Sequence, residues 1–406
     1  MSAWRSVVVG GLLLLIGVNL RSVILAVPPI LPLIRQDLGL SYTATGLLTS
    51  LPTLIMGAAA WSSGLLVERI GARVAVTSGL ALLAAGALLR AVIPLAVPIF
   101  LFTILMSLGI ALAQTTASVL IRRWFPAKIG LLSAIFTDGL IIGETIGAGL
   151  TVPLMLWLFG SDGWRASFVL WGVPVGVLLA FWLWLAPAEP LHLLIPPPIP
   201  VSGAEIEVER EVQEKRVIPA KTPVRTIHLG LLLGSGSLIY FGMNAWIANY
   251  NQAQHLSSLT PLALTLLNAA QLPSSLGVTF FAQRMTGHRW PFIAAGCVCL
   301  AAILLLIFGP ASLEPLWAAL LGASSALVFT LSLALPALLA APAKVARLAG
   351  ATLSIGYSMA FLGPFIGGGL WDLFNLPALA FAPVVIASII LVVAGVMLPA
   401  SYALRA

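Results

Sequence analysis

The chain has 406 residues, 60% of them hydrophobic and only 8% charged, with a mean hydropathy of +1.08 and a formal net charge of +7. A soluble domain carries about 25% charged residues, so the two or three soluble domains that length alone would suggest are excluded. Cys297 and Cys299 are the only cysteines. Two apart in an apolar run, they point to different faces of a helix and give neither a disulfide framework nor a metal site.

A helix needs roughly 20 apolar residues to cross about 30 Å of hydrocarbon. Twelve such stretches follow in chain order: 6–34, 43–67, 72–92, 95–121, 128–157, 163–186, 226–251, 260–284, 290–308, 313–340, 347–372 and 376–400. The first is too long for a signal-peptide core, contains Asn19 and Arg21, and has no small-residue cleavage site. The short alternating segments of a β-barrel are absent. The expected fold is therefore all-α and membrane-spanning, with twelve transmembrane helices.

Basic residues sort by loop. With the N-terminus inside, Arg5, Arg69, Arg73, Arg122, Arg123, Lys128, Arg210, Lys215, Arg216, Lys221, Arg225, Arg284, Arg289, Lys344, Arg347 and Arg405 fall on the inner side. Arg35, Arg90 and Arg165 fall outside, and Arg21 within the membrane. Positive charge favours the cytoplasm, so both termini are placed there, in a cell (inner) membrane. The basic pI of about 9.9 is thus a topology signal, and no nucleic-acid partner is expected.

Residues 187–225 form the one long polar segment, proline-rich at first (Pro187, Pro190, Pro196, Pro197, Pro198, Pro200) and then mixed in charge from Glu205 to Arg216. It reads as a cytoplasmic linker between bundles 1–186 and 226–406. The flanking bundles resemble each other. Gly143-Glu-Thr-Ile-Gly-Ala-Gly-Leu150 in span five matches Gly363-Pro-Phe-Ile-Gly-Gly-Gly-Leu370 in span eleven, and Leu51-Pro52 in span two matches Leu272-Pro273 in span eight. Nearly equal offsets joining equivalent spans point to a duplicated six-plus-six arrangement. The glycine runs suit close helix approach, and Pro28, Pro29, Pro32, Pro52, Pro273 and Pro364 are expected to bend their helices.

Between spans two and three the chain reads Gly64-Leu-Leu-Val-Glu68-Arg69-Ile-Gly71-Ala-Arg73. The glycines allow a tight turn, while the acid and arginines can latch neighbouring helix ends. This stretch resembles the loop signature of the major facilitator superfamily, with Glu68 in place of the usual Asp. A narrower resemblance runs through Gly17–Gln36, Leu47–Gly57 and Leu120–Pro126, which look like the corresponding stretches of the cyanate permease and nitroimidazole transporter group. The resemblance implies two pseudo-symmetric six-helix bundles and a small-solute permease, with Arg21 matching the group's first-helix arginine.

A charge at mid-bilayer costs roughly 3 kcal/mol on insertion scales, so buried ionisable residues are functional candidates by default. Arg21 lies near the middle of span one and Glu144 near the middle of span five, with Asp138 further inward. An Arg21–acid ion pair locking two helices is the structural alternative. Arginine offers five donors in a planar fork, suited to a small anion or a nitro or carbonyl group. Asn19, Tyr240, Asn244, Gln271, Tyr357 and Ser358 lie at similar depth and complete the expected solute site. Glu144 and Asp138 are the candidates for proton coupling.

Metalloprotease, P-loop and nucleophile-elbow motifs are missing, and no cofactor or enzymatic activity is expected. The sequence reading is a monomeric secondary transporter moving a small polar or anionic solute by alternating access, with protons as a candidate second partner. A proton-coupled drug exporter of the same fold is the alternative.

Overall fold

The computed structural model describes residues 3–93, 95–125, 128–160, 163–186, 226–285, 287–339 and 342–399; the linker at 187–225 lies outside the described residues. Fourteen α-helices occur among them: α1 (Ala3–Leu25), α2 (Val27–Asp37), α3 (Tyr42–Ile70), α4 (Ala72–Val92), α5 (Ala96–Trp124), α6 (Ile129–Phe159), α7 (Trp164–Leu185), α8 (Thr226–Ala253), α9 (Thr260–Ala269), α10 (Gln271–Met285), α11 (Trp290–Phe308), α12 (Glu314–Leu339), α13 (Pro342–Phe374) and α14 (Ala382–Met397). Ten stretches, one of them α1 and α2 together, are long and apolar enough to cross a membrane. With α3 and the α9–α10 pair they make the twelve spans expected.

Two spans are broken where proline removes a helical N–H. The first divides at Ala26, just ahead of Pro28 and Pro29, and the eighth at Ala270, ahead of Pro273. Pro52 and Pro364 sit inside the continuous helices α3 and α13.

The two glycine runs serve equivalent contacts in the two halves. A methyl group added at Gly139, Gly143 or Gly147 of α6 would overlap the backbone of α1 at Leu14, Val18 and Ser22. One at Gly356 or Gly363 of α13 would strike Leu233 and Leu238 of α8. Small residues four apart leave a smooth stripe on which a neighbouring helix lies close, and dispersion over that contact replaces the hydrophobic drive that lipid withholds.

Successive spans alternate in direction, which gives the molecule a Gly71 end, carrying the α3–α4 turn, and a Gly39 end, carrying the α2–α3 loop. Gly71 alone separates α3 from α4, at φ 80°. Here the arginine of the loop motif does capping work: Arg73 Nη2 donates to the carbonyl of Leu183 (3.1 Å) at the end of α7, and Trp182 Nε1 donates to Thr77 Oγ1 (3.2 Å) on α4. Arg69 is exposed and Gly64 faces open space. The side chain of Glu68 lies outside the described residues.

At the Gly39 end the halves are in contact. The carboxylate of Asp372, at the end of α13, accepts from the backbone N–H groups of Tyr42 (2.9 Å) and Thr43 (2.7 Å) and from Thr43 Oγ1 (2.6 Å). Ser41 accepts from the next donor, Ala44 N (3.1 Å), so the first three free N–H groups of α3 are satisfied, two of them by the opposite half. Beside this cap the Tyr42 ring stacks on Trp371, centroids 3.9 Å apart, with the Arg35 guanidinium over the Tyr42 ring at 4.4 Å from its centroid and Trp246 5.7 Å from Trp371. Gly46 lies against the backbone of Pro364, Gly368 against that of Tyr42, and Gly149 against Thr265. Toward the other end the packing thins: Gly57 still touches Tyr357, but Gly64, Gly277 and Gly350 have nothing within 4 Å of an added Cβ.

Removing the Asp372 carboxylate should cost about 1 kcal/mol, as for loss of a helix cap, and only in the state closed at this end. Asp372→Ala is therefore expected to lengthen the mean distance between spin labels at the exposed positions Val97 and Leu376. Distance distributions matching those of the unsubstituted labelled pair would show that the cap does not hold this end shut.

Candidate functional site

Midway between the ends, the interface between the halves encloses a cavity of about 420 Å³, lined by Arg21 and Glu144 from one half and Ser237, Tyr240, Phe241, Gln271, Ser325, Phe329 and Tyr357 from the other. Arg21 reaches it because Gly17 and Gly143 bring α1 and α6 into backbone contact, which places an α1 side chain against an α6 side chain. Arg21 and Glu144 are both buried, and Arg21 Nε lies 3.4 Å from Glu144 Oε1.

That distance makes an ion pair but a poor hydrogen bond. Both Nε and Nη1 of Arg21 lack a hydrogen-bond partner among the described residues. Glu144 is held instead from across the interface, where Gln271 Nε2 donates to its Oε2 (2.8 Å). The result is a compensated cation with unused donors on the cavity wall. Such an arrangement can accept a small anion or a pair of planar oxygens without first breaking a bidentate salt bridge.

The opposite wall is set by a hydrogen-bond chain. Tyr240 OH donates to Asn268 Oδ1 (2.6 Å), Asn268 Nδ2 donates to Asn244 Oδ1 (3.0 Å), and Asn244 Nδ2 returns to the Tyr240 carbonyl (3.0 Å). All three residues are buried. The chain fixes the Tyr240 ring and ties α8 to α9. Asn268 is absent from the sequence reading; its signal was an amide three residues before Gln271 in the same span.

The cavity brings together Arg21, Tyr240, Gln271, Tyr357 and Glu144 of the residues expected from sequence. It does not bring in the others. Asn19 is turned back along its own helix, donating to the Leu15 carbonyl (2.9 Å). Asn244 acts through the chain just described and lines a neighbouring cavity. Ser358 is exposed, with its hydroxyl on the Ser354 carbonyl, and Asp138 is exposed on α6, six residues from Glu144 and on a different face of the helix. Arg90, counted with the outer set from sequence, is near the Gly39 end and is buried, 1% exposed, with its guanidinium on the Phe168 ring. Ser237, Phe241, Ser325 and Phe329 join the lining without a sequence signal, since serine and phenylalanine are ordinary in membrane helices.

Comparison with known proteins agrees with this architecture. The family model described as Major Facilitator Superfamily matches residues 9–368. The 2-nitroimidazole transporter of Escherichia coli (strain K12) is 28% identical over 377 residues, 91% of this chain and 89% of that protein. The cyanate transport protein CynX of the same organism is 27% identical over 372 residues, 88% of each chain. Among solved structures, the D-xylose-proton symporter superposes with a TM-score of 0.72 at 15% identity, covering 98% of this chain and 99% of that one.

Asn268 sits at the centre of three buried amide and hydroxyl groups, so Asn268→Ala leaves Tyr240 OH and Asn244 Oδ1 without partners. Each unsatisfied buried group costs about 1–3 kcal/mol. The variant is expected to unfold several degrees lower in detergent, as read by thermal denaturation. A melting temperature within 1 °C of the parent, roughly the noise of a surface substitution, would show that the chain carries no stability.

Proposed function

Since the chain belongs to the Major Facilitator Superfamily, a family of transporters, we propose that it carries a small, planar, anionic or nitro-bearing solute across the cell membrane by alternating access, with Arg21 as the binding group. One observation supports this reading: a buried guanidinium, whose Nε and Nη1 have no hydrogen-bond partner among the described residues, belongs to the lining of a cavity at the junction of the two halves. Arginine presents its donors as a rigid fork that matches carboxylate or nitro oxygens. The faces of Tyr240, Phe241, Phe329 and Tyr357 around it suit a flat π-system. The relatives named for cyanate and 2-nitroimidazole are consistent with that class, and the aromatic walls favour the ring-bearing member of it.

The basic residues orient the molecule in this reading. Arg69, Arg122 and Lys128 are exposed toward the Gly71 end, which supports a cytoplasmic Gly71 end. The Asp372 cap then closes the outer end, and a solute at Arg21 communicates with the cytoplasmic side. The two bundles, 1–186 and 226–406, move about the cavity as bodies joined by the 187–225 linker.

Arg21→Lys keeps the charge but loses the fork. Purified variant is expected to remain monodisperse with a melting temperature close to the parent, yet to bind a nitro- or carboxyl-bearing aromatic solute at least tenfold more weakly by titration calorimetry. Unchanged affinity would sink the assignment of Arg21 as the binding group.

Glu144 supports a second element, proton coupling. Its carboxylate faces Arg21 only loosely, so a solute anion competes with Glu144 for the guanidinium, which makes Glu144 the coupling group in this reading. In proteoliposomes, Glu144→Gln is expected to retain counterflow exchange but lose uptake driven by an imposed pH gradient. Gradient-driven uptake at the parent's level would remove Glu144 from the coupling path.

A further inference from the structure

A second arginine is buried, and no acid pairs with it among the described residues. Arg90 lies on α4 close to the Gly39 end and is 1% exposed. Among the described residues it forms no ion pair and no side-chain hydrogen bond at Nε or Nη2. Its guanidinium rests on the Phe168 ring, 4.3 Å from the centroid. A cation–π contact stabilises by about 1–2 kcal/mol when desolvated, far less than the several kcal/mol that a buried ion costs. Something else must supply the balance.

The guanidinium lines a cavity distinct from the central one. Its polar lining is Arg90, Thr49, Thr103 and Asn244, and its remaining walls are apolar, among them Ile24, Pro28 and Phe168. The hydroxyl protons of Thr49 and Thr103 are committed to backbone carbonyls of their own helices, and one of the two Asn244 amide N–H groups to the Tyr240 carbonyl. Arg90 therefore supplies most of the free donors and the only charge, and no lining group is an acid. Such a site repels cations, gives a neutral polar molecule too few partners, and suits a compact monovalent anion: the single charge neutralises the guanidinium, and the apolar walls tolerate an ion that is weakly hydrated. A dianion would leave one charge uncompensated in the same walls.

The position links this cavity to the central one. Phe241 lines both. Asn244 sits one helical turn beyond Tyr240, about 6 Å along α8 at 1.5 Å per residue, and connects to it through Asn268. The break between α1 and α2 at Ala26 contributes Ile24, Leu25, Val27 and Pro28 to the wall, so the cavity occupies the space opened by the proline kink. It lies on the Gly39 side of the central site.

We propose that Arg90 holds a compact monovalent anion of halide, nitrate or cyanate size in a second site, separated from the Arg21 cavity by Phe241. Anion binding at Arg90 stands on this cavity alone and does not depend on which solute the protein transports.

The test is thermal unfolding of the full-length protein in detergent at constant ionic strength, with chloride, nitrate or cyanate replacing gluconate, a bulky and strongly hydrated anion. The parent is expected to gain several degrees with a saturable dependence on each small anion. Arg21→Lys should keep that saturable gain, which distinguishes this site from the central one. Arg90→Gln should lose it while being at least as stable as the parent in gluconate, because an uncompensated buried charge has been removed. Should Arg90→Gln fail to fold, Arg90→Lys provides the reading, with the half-saturating anion concentration expected to rise at least fivefold. Loss of the gain in Arg21→Lys together with its retention at parental half-saturation in either Arg90 variant would overturn the proposal. So would a parent whose stability is the same in gluconate and in all three small anions.

Discussion

An arginine inside a helix bundle that spans hydrocarbon cannot be left alone, and the interior of this molecule is arranged around that constraint. Arg21 is compensated by one acid, Glu144, at 3.4 Å, a separation at which the charges attract but the guanidinium donors stay free. A tighter bidentate pair would have stabilised α1 against α6 more and left nothing for a solute to bind. The looseness follows from the packing. Gly139, Gly143 and Gly147 bring α6 so near α1 that their backbones touch, and the two side chains must then project past one another toward the opposite half. Helix approach, a packing property, thus sets the electrostatics of the cavity.

The same small-residue logic governs the seal at the Gly39 end. Gly46 against Pro364 and Gly368 against Tyr42 are backbone contacts, set beside the stacked rings of Tyr42 and Trp371. The one acid of the seal, Asp372, is directed at the N–H groups that start α3, a partner that water can replace when the end opens. A buried salt bridge at that position would hold the end shut far more strongly and leave an unpaired charge on opening.

Much of this was legible in the sequence. The apolar stretches give all twelve spans, and the repeated glycine runs give the α1–α6 and α8–α13 contacts of the two halves. Arg21 and Glu144 could be found because charge in an apolar span is conspicuous. What depends on side-chain direction was not legible. Asp138 shares a helix with Glu144 but lies on another face of it, and Ser358 directly follows Tyr357, yet in each pair one residue lines the cavity and the other is exposed. A helix buried on one side only gives an azimuthal signal; most of these helices are apolar all round, so the hydrophobic pattern does not mark the inner face. The burial of Arg90 was not legible for a related reason: two residues from a helix end it reads as interfacial, whereas its guanidinium rests on Phe168 inside the bundle.

The polar contacts between the halves are few and fall at two levels among the described residues: the Asp372 cap at the Gly39 end, and the Gln271–Glu144 hydrogen bond at the cavity. Within its own half each wall is rigid, Tyr240 being fixed through Asn268 and Asn244. A ligand can shift an equilibrium between two arrangements only by contacting them differently. Under the proposed reading, a solute that takes the free donors of Arg21 changes the charge balance at Glu144, and Glu144 is the acceptor of the cross-half hydrogen bond. Occupancy of the cavity therefore acts directly on a contact that exists only while the halves are in this arrangement. No longer pathway through the helices is needed to link binding to movement, because the binding group and the inter-half tie meet at one carboxylate.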